Sequence, residues 1–175
     1  MNTPGPPAPA PRSPGDHDQA PTTTLPAGWA TADLNDLTAA GWTTEEIRGL
    51  AHDWPITDPV PPTVVLIAAE LTISTGLSPT ETRAWLQALF SPNGQHIVMS
   101  AAHEDAYDTD AFRSTEDIVT SYRNAARGDN TLAVAAMRAG LTITALAEHH
   151  AAGTADITAL NTLAALNDAS APRTA

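Results

Sequence analysis

The chain has 175 residues, 20 acidic against 8 basic, and neither cysteine nor lysine. The absences exclude disulfides, thiolate zinc sites, iron–sulfur clusters, cysteine nucleophiles, Schiff-base lysines and the phosphate-loop lysine. A net charge of −12 repels nucleic acid and anionic membranes over long range, and suits a soluble protein or one with a basic partner.

Residues 1–27 hold eight of the fifteen prolines and almost no large apolar side chain. They cannot bury enough surface to offset their ordering entropy, so we expect a disordered, polyproline-like tail. Pro4-Gly5-Pro6-Pro7 has the P-x-x-P spacing of SH3 ligands. That spacing is common in proline-rich stretches, and plain solvated tail is the preferred reading. The N-terminus lacks a basic n-region and an apolar h-region, so no signal peptide is expected. All basic residues are arginine, and alanine and threonine abound, the codon-usage stamp of a GC-rich bacterial genome.

Residues 28–168 read as a single all-α domain. Thr31–Trp54 organises it as a helix, a corner and a second helix. Thr31 is a plausible N-cap and Asp33 suits the first turn. Gly41 supplies the left-handed residue that ends a helix. Thr43 and Glu46 form a capping box for the next helix, whose apolar stripe is Ile47, Leu50, Ala51 and Trp54. Trp42 sits in the corner, placed to pack between the two helices. The formula of small residue, glycine, large apolar residue and hydroxyl recurs at Gly76 and Gly140. The spacing of the three glycines is unequal, so this is not a solenoid. The formula resembles the helix-turn-helix of DNA-binding proteins, which often carries glycine in its turn.

After a four-proline connector, Thr63–Thr75 reads as a helix buried on nearly every side, because Val64, Val65, Leu66, Ile67, Leu71 and Ile73 leave little polar face. Its one charge, Glu70, belongs at the helix rim or beside an arginine. Ser78–Phe90 follows, opened by a capping box with Pro79 at its first position and striped by Thr82, Trp85, Leu86 and Leu89. Ser91-Pro92-Asn93-Gly94 reads as a turn and the best internal boundary. Gln95–Tyr107 is helical with Ile97, Val98, Ala101 and Ala102 inward, and Asp108–Ser114 is an acidic loop. Thr115–Arg127, Thr131–Ala139, Thr142–Ala152 and Asp156–Leu166 complete the helices, with residues 169–175 frayed. No segment alternates with period two, so no sheet is expected. The fold class is an all-α orthogonal bundle of about eight short helices.

Two clusters of polar residues invite a site. His103, Glu104, Asp108 and Asp110 could hold a hard cation or do acid–base chemistry. No calcium-loop pattern is present, and His96 and His103 stand about 10 Å apart along a helix. A solvated acidic helix end is the preferred reading. Glu148-His149-His150 is the second cluster. His150 continues the stripe of Ile143, Leu146 and Ala147, so a hydrogen-bonded core histidine is expected there. Adjacent helical histidines point apart and cannot easily share a metal. For DNA the candidates are Arg48, His52, Arg83 and Gln87, set among Glu45, Glu46, Asp53 and Glu81 with no basic stripe.

The sequence carries no catalytic or cofactor motif that we recognise, so neither an enzyme nor a bound cofactor or metal is expected. The longest apolar run, Val64–Ala69, is far too short for a membrane span. The expectation is a small acidic cytoplasmic regulatory or adaptor protein that binds another protein. A dimeric helix-turn-helix DNA binder ranks second, and an enzyme using the His103–Asp110 cluster third. Gly41→Ala should destabilise, whereas mid-helix Gly49→Ala should stabilise wherever the site has room.

Overall fold

A computed structural model describes residues 31–53, 62–105 and 114–170, without side-chain detail for 31–33, 53, 62, 63 and 101–105. The expected tail, the connector and most of the acidic loop lie outside the described residues. Among those described there are nine helices and no strand, so the all-α class holds with one helix more than about eight. They are α1 Thr31–Ala39, α2 Thr44–Asp53, α3 Pro62–Thr75, α4 Pro79–Leu89, α5 Pro92–Asp105, α6 Thr115–Ala125, α7 Asn130–Ala139, α8 Ile143–Ala151 and α9 Ile157–Ser170.

The first corner forms as its chemistry requires. Gly41 has φ +92° and ends α1, with the Trp42 N–H returning to the Leu37 carbonyl at 3.0 Å. The Glu46 carboxylate accepts from the Thr43 backbone N–H and hydroxyl, both at 2.8 Å, while the Glu46 N–H donates to Thr43 Oγ1 at 3.3 Å. These bonds hold the Glu46 carboxyl below its ordinary value. Trp42 is buried, and it reaches past the hairpin to α3. Its indole N–H donates to Thr72 Oγ1 at 3.0 Å, and the Thr72 hydroxyl donates to the Ala68 carbonyl at 2.8 Å. That spends the one Thr72 proton, so the 3.1 Å contact with Thr82 makes Thr82 the donor.

The buried side chains fall into two clusters. One gathers Leu37, Trp42, Ile47, Leu50, Val64, Val65, Ala68, Ala69 and Leu86 from α1 to α4. The other draws Leu71 and Leu77 together with Trp85, Leu89, Tyr122, Leu132, Met137, Leu146 and their neighbours. Adjacent residues of α4 face opposite ways, Leu86 into the first and Trp85 into the second. Trp85 donates its indole N–H to Asn130 Oδ1 at 2.6 Å and meets the Tyr122 ring edge-on at 6.4 Å. Tyr122 in turn donates to the Leu141 carbonyl at 2.5 Å, tying α6 to the third corner, and burial pushes its phenol up to about 12.

Four expectations need correction. Ser91–Gly94 is no turn: α5 begins at Pro92, with Ser91 Oγ accepting from the Gly94 N–H at 3.1 Å as an N-cap and proline at the first helical position. The glycine is there for space, since a Cβ on Gly94 would lie 1.8 Å from the Ala88 carbonyl oxygen. Second, α3 is not buried all round, because Leu66 and Ile73 are 55% and 69% exposed. Third, Glu70 is exposed at the helix rim as one of its two expected placements had it, but the group that faces it is a second carboxyl, Glu116, within hydrogen-bonding reach, and not the arginine of the other. Fourth, α9 runs past the expected end at Leu166 to Ser170, held along α7 by Asp168, which pairs with Arg138 at 2.7 Å.

Candidate interaction surface

The predicted polar clusters separate once placed. His103 and Glu104 lie on α5 beyond its described side chains, and Asp108 and Asp110 lie outside the described residues. Among the described residues no three acidic or histidine side chains converge as metal ligands would. His96 is exposed on α5.

At the end of α8 the two histidines diverge as helix geometry demands. His150 is half-buried one turn from Leu146, but its Nδ1 is enclosed without a hydrogen-bond partner among the described residues. Among the described residues the expected hydrogen-bonded core histidine is therefore packed but not bonded at that nitrogen. His149 turns outward, with Nδ1 3.0 Å from Thr154 Oγ1 beyond the Gly153 corner. It borders a half-open cleft of about 160 Å³ between α8 and α9, floored by Leu146 and Leu160 and rimmed by Thr154 and Asp156. Asp156 there caps α9, accepting from the Thr158 N–H at 2.9 Å. Sequence reading missed this cleft. Its one signal is Asp156 before an apolar-periodic run, an N-cap pattern that says nothing of a cavity.

The nucleic-acid candidates lie on α2 and α4, which touch. Arg48, His52 and Gln87 are exposed, whereas Arg83 is half-buried. Its guanidinium lies over Gly49, so that a Cβ added there would sit 2.4 Å from Nη1. Its charge also contributes to lowering the Glu46 carboxyl. Arg83 thus serves the α2–α4 contact. The room assumed for Gly49→Ala is already filled.

The outer face of α3 has a different character. Leu66, Glu70 and Ile73 follow one another at i, i+4 and i+7, which places them on one face. All three are exposed. The opposite face supplies Val64, Val65, Ala68, Ala69 and Leu71 to the core. Helix α6 packs beside α3 and brings up Glu116 from its first turn. Glu116 opposite Glu70 raises the Glu70 carboxyl, first by the hydrogen bond between them and then by charge repulsion. The Ser114 hydroxyl holds Glu116 low, so a proton shared by the pair resides on Glu70. The arrangement is a carboxyl pair framed by two large apolar side chains. It has the make-up of a contact surface and lacks the enclosure of a catalytic cleft.

A comparison with protein-family models, curated proteins and solved structures finds no match to this chain.

Proposed function

We propose that this protein is a small regulatory or adaptor protein of the cytoplasm that works by binding another protein. The observation that carries the reading is the outer face of α3, where Leu66 and Ile73 stand 55% and 69% exposed on a helix whose other face is core. Large apolar side chains grouped on one face, beside charge, are the usual composition of a recognition patch. The charge balance supports a basic partner, since a net charge of −12 attracts cationic surfaces and repels phosphate. Among the described residues no helix is long and apolar enough to cross a membrane.

DNA binding ranks lower. Of its four candidate side chains, Arg83 is laid against α2, and the other arginine among them is Arg48. The enzyme reading rests on His103, Glu104, Asp108 and Asp110, and gains no support from the described residues.

The test is affinity capture with the tagged full chain in its native host, followed by a binding measurement with the purified partner. A saturable partner is the expected result, and recovery of no protein overturns the proposal. A salt titration with duplex DNA runs beside it. Binding at low salt with a steep slope against salt concentration would put the helix-turn-helix reading first.

A further inference from the structure

We infer that the outer face of α3 docks a basic amphipathic segment of its partner, an arginine or lysine flanked by large apolar side chains. This rests on the protein-binding reading and names its surface and its chemistry. Leu66 and Ile73 are two helical turns apart, roughly 10 Å along the axis. Glu70 projects between them, and Glu116 of α6 closes in from the side. Each of the two apolar side chains is more than half exposed, so most of its surface is open to a partner.

The carboxyl pair lacks a cation of its own among the described residues. Arg123 of α6 turns to the Thr75 carbonyl at 3.3 Å and acts on Glu81. Arg138 pairs with Asp168, and Arg83 lies on α2. Among the described residues, the groups that act on Glu70 and Glu116 are each other, the Glu116 backbone, Ser114 and Asp117, with no arginine among them. Two carboxyls held at hydrogen-bonding distance oppose each other's ionisation, and no neighbouring charge among the described residues offsets that opposition. A guanidinium laid across both would donate an N–H to each carboxylate, a charge-assisted fork. Apolar side chains one turn to either side of that guanidinium would then meet Leu66 and Ile73, in the manner of a helix laid on a surface.

A second copy of this chain fits the face badly. A two-fold contact would set one Glu70–Glu116 pair against another and join two chains of net charge −12. The partner's cation completes the site, whereas self-association worsens it.

The experiment is selection of a random peptide library on the full chain, with affinities of the selected peptides measured for parent and variants. The expected peptides carry an arginine or lysine between large apolar residues. Their affinity should fall about tenfold or more for Leu66→Ser with Ile73→Ser, and likewise for Glu70→Gln with Glu116→Gln. Added salt should weaken binding to the parent more than to the glutamine variant. Both variants change surface side chains, so an unchanged circular dichroism spectrum accompanies the loss. Peptides that bind every variant as tightly as the parent overturn the surface while leaving the protein-binding reading intact. A parent dimer dissolved by Leu66→Ser with Ile73→Ser gives the face to a second copy and overturns the inference. So does binding that arises only after Phe112→Ser with Arg113→Ser, because the face then belongs to the chain's own residues preceding Ser114.

Discussion

The corners at Gly41 and Gly140 are written in the same residue formula and are secured in different ways. At the first, a Cβ on Gly41 would meet nothing within 4 Å, and the corner is held by its own capping box and by Trp42 reaching Thr72. At the third, a Cβ on Gly140 would come within 3.2 Å of the Asn93 side chain. Asn93 Nδ2 donates to the Arg138 carbonyl at 2.8 Å, Asn167 Nδ2 reaches the Ala139 carbonyl at 3.4 Å, and Tyr122 holds Leu141. Helices α5, α6 and α9 therefore all clasp the later corner. Local grammar makes a helical corner, and tertiary neighbours decide how much depends on it.

The strongest way to break the difference is Gly94→Ala. Its Cβ would collide with the Ala88 backbone, oxygen at 1.8 Å and carbon at 2.8 Å, so no flexible side chain can yield. Helices α4 and α5 must part and carry Asn93 off the third corner, at a cost of about 3 kcal/mol or more in urea unfolding.

Next comes the direct comparison. Gly41→Ala meets only the left-handed backbone cost, about 1 kcal/mol, while Gly140→Ala adds displacement of Asn93 and should reach about 2 kcal/mol. In an Asn93→Ala background the two costs should converge, and a double-mutant cycle measures the coupling. Equal costs without that background would mean that Asn93 does not clasp the corner.

Trp42→Phe sharpens the first corner. It removes the indole donor to Thr72 and should cost about 1 kcal/mol, since Thr72 keeps its bonds to Ala68 and Thr82. Gly49→Ala should come out near zero, because the helix-propensity gain is offset by displacing the Arg83 guanidinium. In an Arg83→Ala background the same change should stabilise by roughly 0.4–1 kcal/mol.

The smallest effect is the pH dependence of the capping boxes. Glu46 and Glu81 are held below their ordinary value of 4.5 by hydrogen bonds from Thr43 and Ser78. Groups with a lowered folded value contribute stability above 4.5 that is lost as pH falls through that lowered value. Glu70, raised by Glu116, has the opposite sign, and stability from that pair rises on acidification. Urea midpoints between neutral pH and pH about 3 should fall less steeply for Glu46→Gln with Glu81→Gln, and more steeply for Glu70→Gln.

Much of the fold was legible because its signals are local. Positive φ at Gly41, Gly76 and Gly140 and the caps at Thr43, Ser78 and Thr142 follow from side chains bonding to backbone within a few residues. Ser-Pro-Asn-Gly misled because the same residues serve a turn and a helix start, and the reason for Gly94 lies on another helix. The apolar pattern of α3 hid which face is outside, since a helix apolar all round carries no polar stripe to orient it. Glu70 was the cue, for Leu66 and Ile73 share its face. Its neighbour Glu116 is forty-six positions away in sequence and became visible only when α6 packed on α3.

The opposed facing of Trp85 and Leu86 on α4 has an optical consequence. Each hydrophobic cluster holds one of the indoles, Trp42 in the first and Trp85 in the second. With Trp29 and Trp54 changed to phenylalanine, Trp42→Phe would leave emission from the second cluster alone, and Trp85→Phe from the first. Tyr122, edge-on to Trp85 at 6.4 Å, is close enough to pass its excitation to that indole. Coincident melting of the two emissions would show that α4 makes both halves unfold as one cooperative unit. Separate transitions would show it to be a wall between two that do not.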